Sequence, residues 1–309
     1  MHFLQPATWA EALEASAGLP DGLPVAGGTD LLVELNFHRC HPVALIDLGR
    51  VPGLDEVSAD DGWLRLGATA TYERLIPALR HDLPALALAA RTIGSPQIRR
   101  RATIGGNLGT ASPAGDAHPP LLAAGAEVEV ASPAGTRLIA ITDFFAGPKQ
   151  NVLAPGELIR AVRVPRASGP QQFAKVGPRN AMVIAVGSFA LALHPDRHRV
   201  GTGIGSAGPV PLVAADAECF LEGVLGEGGL WEAPRPLGDG VRSKFADLVA
   251  YAARPVDDVR GTAAYRARAL RVMAGRVLDW VWADYLREGP RREAGPRREE
   301  RAGREERAG

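Results

Sequence analysis

Cysteine is nearly missing from this chain: its 309 residues include two, Cys40 and Cys219. Two cysteines cannot staple a small secreted scaffold, and an iron–sulfur cluster takes four. Any metal centre would therefore need histidines and carboxylates. An excess of either charge is also missing, since Lys+Arg 35 balance Asp+Glu 35. That balance argues against a nucleic-acid or anionic-membrane binder, which needs a net basic surface. Aromatic residues are sparse at 6%. Long apolar runs are absent too: the longest, residues 181–193, contains Gly187 and Ser188 and is too short to cross ~30 Å of hydrocarbon. The start, Met1-His2-Phe3-Leu4-Gln5-Pro6, has neither the basic nor the apolar region of a signal peptide. The expectation is a soluble cytoplasmic protein with no nucleic-acid partner and no membrane insertion.

Glycine (36) and proline (25) are abundant, which favours short elements joined by many turns over a long-helix bundle. Thr8 and Glu11 have capping-box spacing and open a helix to about residue 17. Residues 23–26 lead into Gly27-Gly28, and a helix is predicted over 29–37, where Leu31, Leu32 and Leu35 share a face. Residues 43–48, 63–68 and 158–164 read as strands, and 72–80, 83–93 and 121–124 as helices, the last ending at Gly125. Ser132-Pro133-Ala134-Gly135 sits between two strand patterns as a hairpin signal. Beyond a linker at 166–170, strands at 172–176, 183–193 and 199–205 precede helices at 214–221, 241–253 and 262–285. The expected class is α+β, with a first domain at 1–170 and a second at 171–286. Residues 287–309 hold eight Arg and six Glu with no apolar side chain larger than Ala or Pro, and read as a disordered tail.

Two stretches can carry a ligand. In Ala26-Gly27-Gly28-Thr29-Asp30-Leu31 a strand ends, two glycines follow and a helix begins. Glycine exposes backbone N–H groups, and the first N–H groups of a helix are unpaired, so the segment can cradle a phosphate. The plain alternative is a strand-to-helix turn capped by Thr29 or Asp30. In residues 102–116, which include Thr103, Gly105, Gly106, Asn107, Thr110, Ser112 and Asp116, no hydrophobic period persists, so the segment reads as a long functional loop. Asp116 suits either a ligand hydroxyl or a helix N-cap. A pair of Gly-Gly turns, each followed by hydroxyl residues, suits a ligand with two phosphates.

Other signals are weaker. Gly203-x-Gly205-x-x-Gly208 satisfies a dinucleotide pattern, but Pro209 and Pro211 bar the helix that such a site needs. His38, Cys40 and His41 lack a partner pair at ligand spacing, so no metal site is expected. Ser112, Asp116 and His118 lie close together without a nucleophile elbow, and no catalytic set is assigned. Lys175 stands out as one of three lysines, with Lys149 and Lys244. It reads equally as a cation in a cleft or an exposed bystander.

The two glycine motifs, with Thr110-Ala111-Ser112-Pro113-x-x-Asp116, closely resemble the FAD-binding signatures of the molybdenum hydroxylases. The likeness is to the flavoprotein (medium) subunit of carbon monoxide dehydrogenases and the flavin domain of xanthine dehydrogenases. Gly94-Ser95-Pro96-Gln97-Ile98-Arg99, Pro155-Gly156-Glu157-Leu158-Ile159 and Gly261-Thr262-Ala263-Ala264-Tyr265-Arg266 also fit. The resemblance implies a two-subdomain FAD-binding (PCMH-like) fold, followed by a three-stranded antiparallel sheet with a helical bundle. It implies that Ala26 to Leu31 and Gly105-Gly106-Asn107 hold the pyrophosphate and its surroundings. Thr103, Thr110, Ser112 and Asp116 would then bond the ribityl chain, ring edge or adenosine side, with Leu158 and Lys175 as further flavin contacts. Lys175-Val176-Gly177-Pro178-Arg179-Asn180 departs from the basic-acidic sequence of the carbon monoxide enzymes, which leaves substrate and electron acceptor open.

The implied function is electron transfer through FAD, from [2Fe–2S] clusters on a small partner subunit to NAD, quinone or another acceptor. The molybdopterin cofactor and the substrate would lie on a large partner subunit. The rivals are a stand-alone flavin oxidase, which lacks an evident base here, and a non-redox nucleotide-binding module.

Overall fold

Thr8 accepts the N–H of Glu11 at 3.2 Å, and the Glu11 carboxylate accepts the N–H of Ala7 at 2.8 Å. The first helix, α1 (Trp9–Gly18), therefore starts where its capping pattern places it. The computed structural model describes residues 1–289. Around α1, β1 (His2–Leu4), β2 (Gly22–Val25) and β3 (Ala44–Asp47) form a parallel sheet in the order β1-β3-β2. Between β2 and β3 lies α2 (Leu31–Asn36). It is shorter than predicted and none of its residues is buried, with Leu32 49% exposed.

The second subdomain runs through β4 (Val57–Asp60), β5 (Trp63–Gly67), α3 (Tyr72–Ala78), α4 (Pro84–Thr92), α5 (Pro96–Arg99), α6 (Ile104–Thr110) and α7 (His118–Ala124). It continues through β6 (Glu127–Ser132), β7 (Gly135–Ala140), α8 (Ile141–Phe144), β8 (Phe145–Gly147), β9 (Gln150–Asn151) and β10 (Leu158–Pro165). Its main sheet is antiparallel, in the order β4-β5-β10-β6-β7. Alternate residues Leu64 and Leu66, Val128 and Val130, and Val162 and Val164 face a core shared with α3, α4, α6 and α7. Gly125 ends α7 in the left-handed conformation, as expected of a C-terminal glycine.

The long loop expected at 102–116 is half helix. Thr103 caps α6 by accepting the Gly106 N–H at 3.0 Å, and Ile104 and Leu108, one turn apart, are fully buried. Three glycines within seven residues mask this helix in the sequence, because glycine weakens a helix that packing here sustains.

The third unit is α+β as expected. Antiparallel β11 (Gln171–Val176), β12 (Gly187–His194) and β13 (Arg199–Gly205) are followed by α9 (Ala215–Glu227), α10 (Asp239–Ala252) and α11 (Ala263–Glu288). Helix α11 carries through Arg287 and Glu288, two residues assigned to the tail in the sequence reading. The remainder of that expected tail, from 290, lies outside the described residues.

Strand β12 is buried along its whole length, and its two faces differ. Phe189, Leu191 and Leu193 enter the helical core with Phe245, Leu270 and Tyr285. Each such large side chain contributes about 1.5–3 kcal/mol on burial. Ser188, Ala190 and Ala192 face the other way, opposite Gly205, Gly203 and Gly201 on β13. A Cβ at Gly201 would lie 1.9 Å from the carbonyl oxygen of Ala123, and one at Gly203 2.1 Å from that of Pro119. The Gly-x-Gly pattern thus forms a flat seat for α7, which explains the motif without a nucleotide. Among the described residues, no helix is long and apolar enough to cross a membrane.

Candidate functional site

The first glycine motif joins β2 to α2. Gly28 has φ +74°, a left-handed conformation that glycine adopts without strain. The backbone N–H groups of Gly27, Gly28, Thr29 and Asp30 donate to no other group among the described residues. Asp30 occupies the N-cap position of α2 but makes no side-chain cap bond, so its carboxylate does not satisfy the first N–H groups as the plain turn requires.

The second motif has the opposite character. Ile104 and Gly105 donate their N–H groups to Ala70 and Ala68 at 3.1 and 2.9 Å. Gly106 donates to Thr103 Oγ1 and Asn107 to the Thr103 carbonyl, both at 3.0 Å. A Cβ at Gly105 would lie 2.7 Å from the Ala68 carbonyl oxygen, so this glycine serves packing. The two motifs therefore do not contribute equally to a phosphate cradle: the unpaired amides belong to the first. Gly106 stays exposed at the start of α6, and the second motif supplies a wall.

The motifs meet in space. A Cβ at Gly27 would lie 1.9 Å from the Arg101 carbonyl oxygen. Beside this contact opens a cleft of about 230 Å³, lined among others by Ala26, Gly27, Thr71, Arg74, Arg100 and Thr103. At the start of α2, desolvation raises the Asp30 carboxyl against the attraction of Lys149 and a hydrogen bond with Thr110. Thr110 Oγ1 also donates to the Gly106 carbonyl at 3.0 Å. Lys149, at the tip of the β8–β9 hairpin, reaches Glu34 of α2 at 2.6 Å, while its own N–H donates to the Ala111 carbonyl at 3.1 Å. Asn151 of the same hairpin donates to the Gly109 carbonyl at 2.9 Å. The hairpin thus ties α2 to α6. Its scarce lysine was the one sequence signal that could have marked it.

Asp116 and Lys175 come together across the seam between the second and third units. Lys175 Nζ lies 2.6 Å from Asp116 Oδ2, with both side chains 8% exposed, and also donates to the Thr92 carbonyl at 3.3 Å. Thr92 Oγ1 donates to the same carboxylate oxygen at 3.3 Å. Desolvation pushes the Asp116 carboxyl up to about 6 against the attraction of Lys175. Asp116 Oδ1 and Asn107 Oδ1 are buried acceptors with no partner among the described residues. Lys175 is therefore a cation in the seam and no exposed bystander.

Other candidates fall elsewhere. Ser112 accepts the N–H of Ala114 at 3.3 Å and shapes the turn that leads to Asp116. His118 is fully buried, packs with its ring tilted against Phe145 at 4.7 Å between centroids and lies 3.3 Å from the Asn107 carbonyl through Nε2. Burial pushes it down to about 4 against hydrogen bonds to the Asn107 and Ser112 backbones, and its ring is bonded neither to the Ser112 hydroxyl nor to Asp116, so these three form no triad. Leu158 is 1% exposed and packs with Ala12, Ile46 and Leu54 in the core of the first subdomain. Its side chain supports the fold, so a contact between Leu158 and a flavin would run through its backbone. His38 and His41 stack at 6.1 Å, and among the described residues no group of three His, Cys, Asp or Glu is placed to hold a metal ion.

Residues 1–167 match the family described as FAD binding domain in molybdopterin dehydrogenase. The chain is similar to the nicotinate dehydrogenase FAD-subunit of Eubacterium barkeri, 34% identical over 72% of this chain and 79% of that one. It is 31% identical to the nicotine 6-hydroxylase medium subunit of Paenarthrobacter nicotinovorans, over 90% of this chain and 96% of that one. Its fold superposes on a chain of the reconstituted CO dehydrogenase from Oligotropha carboxidovorans with a TM-score of 0.84. There the identity is 26%, and the match covers 92% of this chain and 98% of that one.

Proposed function

This chain belongs to the family of FAD-binding domains of molybdopterin dehydrogenases, and from that premise we propose that it is the flavoprotein subunit through which such a complex delivers its electrons. Substrate is oxidised at a molybdopterin centre on a large partner subunit. Electrons reach this chain from [2Fe–2S] clusters on a small partner and leave for an external acceptor. FAD, when bound, interconverts one- and two-electron chemistry.

The observation that carries the reading is the set of unpaired N–H groups at Gly27 to Asp30, held against the second motif at the Gly27–Arg101 contact. Main-chain donors at a helix start, beside Arg74 and Arg100 on the cleft wall, suit a diphosphate. Thr103 lines the same cleft, and Asp30, Gly106 and Thr110 would add further contacts to the ligand. The unmatched acceptors of Asn107 and Asp116 suit donors such as ribityl hydroxyls. Lys175 holds a positive charge at the seam, where it can favour electron-rich forms of a bound ring. Asp116 is held by Lys175 and His118 is neutral and sealed, so neither is assigned substrate chemistry.

Spectroscopy and reconstitution test this. The purified full chain should take up one FAD, with flavin bands near roughly 375 and 450 nm. It should also co-purify with molybdopterin and iron–sulfur subunits encoded beside it. A colourless chain that binds ADP and refuses FAD would establish a nucleotide-binding module instead.

A further inference from the structure

Arg266 sits in the first turn of α11 and is 3% exposed. Its Nη1 donates to two carbonyl oxygens, that of Val186 at 2.9 Å and that of Ser206 at 2.7 Å. Nη2 pairs with the Asp258 carboxylate, whereas Nε has no partner among the described residues. Burying a guanidinium is costly, and an apolar residue of similar volume would fill the space more cheaply. The two carbonyls it holds show what the charge does there.

Val186 is pinned at both backbone groups. Its carbonyl accepts from Arg266, and its N–H donates to the Val176 carbonyl at 2.8 Å, next in the chain to Lys175. The contact closes the loop between β11 and β12 directly behind that lysine. Ser206 is pinned in the same way. It ends β13 with φ +59°, an unfavourable value for a residue with a side chain, and its N–H donates to the Pro113 carbonyl at 2.9 Å. Pro113 lies three residues before Asp116. One side chain on α11 therefore holds the two residues whose own N–H groups bond to the segments carrying Lys175 and Asp116.

We propose that Arg266 is the positioning residue for the Lys175–Asp116 pair: through Val186 and Ser206 it sets where the two charges meet, and so tunes the affinity for the flavin. This rests on the placement of FAD at that pair given above. Arg266 touches neither group. Its planar fork serves two carbonyls at fixed directions, which a lysine ammonium on a flexible stem does not reproduce.

The test is a double-mutant cycle on the full chain, freed of cofactor, with FAD affinity read by fluorescence titration. Arg266→Met keeps the bulk and loses the donors. It should weaken FAD binding about five- to tenfold, as expected for the loss of one or two net hydrogen bonds. Lys175→Met should weaken it at least as much. The double variant should bind no more weakly than Lys175→Met alone, because both changes disable the same pair. The visible band of bound FAD should shift in the same direction in both single variants, and Arg266→Lys should not restore it. Additive losses, or an Arg266→Met chain that binds like the wild type while Lys175→Met does not, overturn the role of Arg266 alone. A Lys175→Met chain with wild-type affinity overturns the placement of the flavin at the pair, and this inference with it. If Arg266→Met fails to fold by circular dichroism, Arg266→Lys takes its place in the cycle. That change keeps a cation beside Asp258 but lacks the planar fork that serves both carbonyls, and the same outcomes decide.

Discussion

Gly27 and Arg101 touch where no side chain fits: a methyl group on residue 27 would stand 1.9 Å from the Arg101 carbonyl oxygen. This contact brings the first glycine motif against the second and sets the width of the cleft. Gly27→Ala should therefore push the motifs apart and empty the chain of flavin, read as the ratio of 450 to 280 nm absorbance. As a control, Gly223 lies exposed inside α9 with nothing within 4 Å of an added Cβ. Gly223→Ala should leave flavin content unchanged and stabilise the chain by up to about 1 kcal/mol in chemical denaturation.

Asp116 gives the cofactor-free chain a pH dependence of definite sign. Its carboxyl is raised from 3.8 to about 6, so the folded state holds a proton that the unfolded state has already released between those values. Its contribution to stability is present below about pH 4 and lost as pH rises through about 6. Asp116→Asn is blind to this change. The melting temperature of the wild type minus that of Asp116→Asn should rise when both are moved from pH 7 to pH 5. A flat difference would show that Asp116 is not desolvated.

His118 works in the opposite direction. Burial lowers it from 6.5 to about 4, so its contribution is intact above the upper value and is lost as pH falls towards the lower one. Replacement of His118 by Gln should make the acid limb of the stability profile shallower between those values. Melting curves at closely spaced pH read this directly.

The strap at Lys149 should matter little to stability. Its ammonium is 58% exposed beside Glu34, and exposed ion pairs are worth about 0–1 kcal/mol. Lys149 also holds φ +56°, which an added side chain disfavours. Lys149→Gly should therefore lose the ion pair and relieve the backbone, with a net change below about 1 kcal/mol. The salt dependence of FAD release should flatten in the same variant, as measured by stopped-flow fluorescence. A large loss of stability would show that the hairpin depends on this lysine.

Much of this protein could be read from residue order alone, because the causes are local. The Thr8–Glu11 cap, the αL glycine at 125, the hairpin before Gly135 and the C-terminal strands all follow from spacing, caps and turn residues. The paired glycine motifs likewise identified the family, since a backbone exposed for a ligand needs glycine at set places. Where neighbours far along the chain decide, the sequence was mute. Helix α6 exists because Ile104 and Leu108 are buried against other elements, despite three glycines of poor helix propensity. The Gly-x-Gly strand is a seat for α7, which nothing near residue 203 announces. Which of two similar motifs keeps free amides depended on whether Ala68 and Ala70 lay within reach. That Lys175 meets Asp116, 59 residues away, depended on how the units pack. Local geometry is written in neighbouring residues, whereas burial and charge pairing are properties of the whole packed chain.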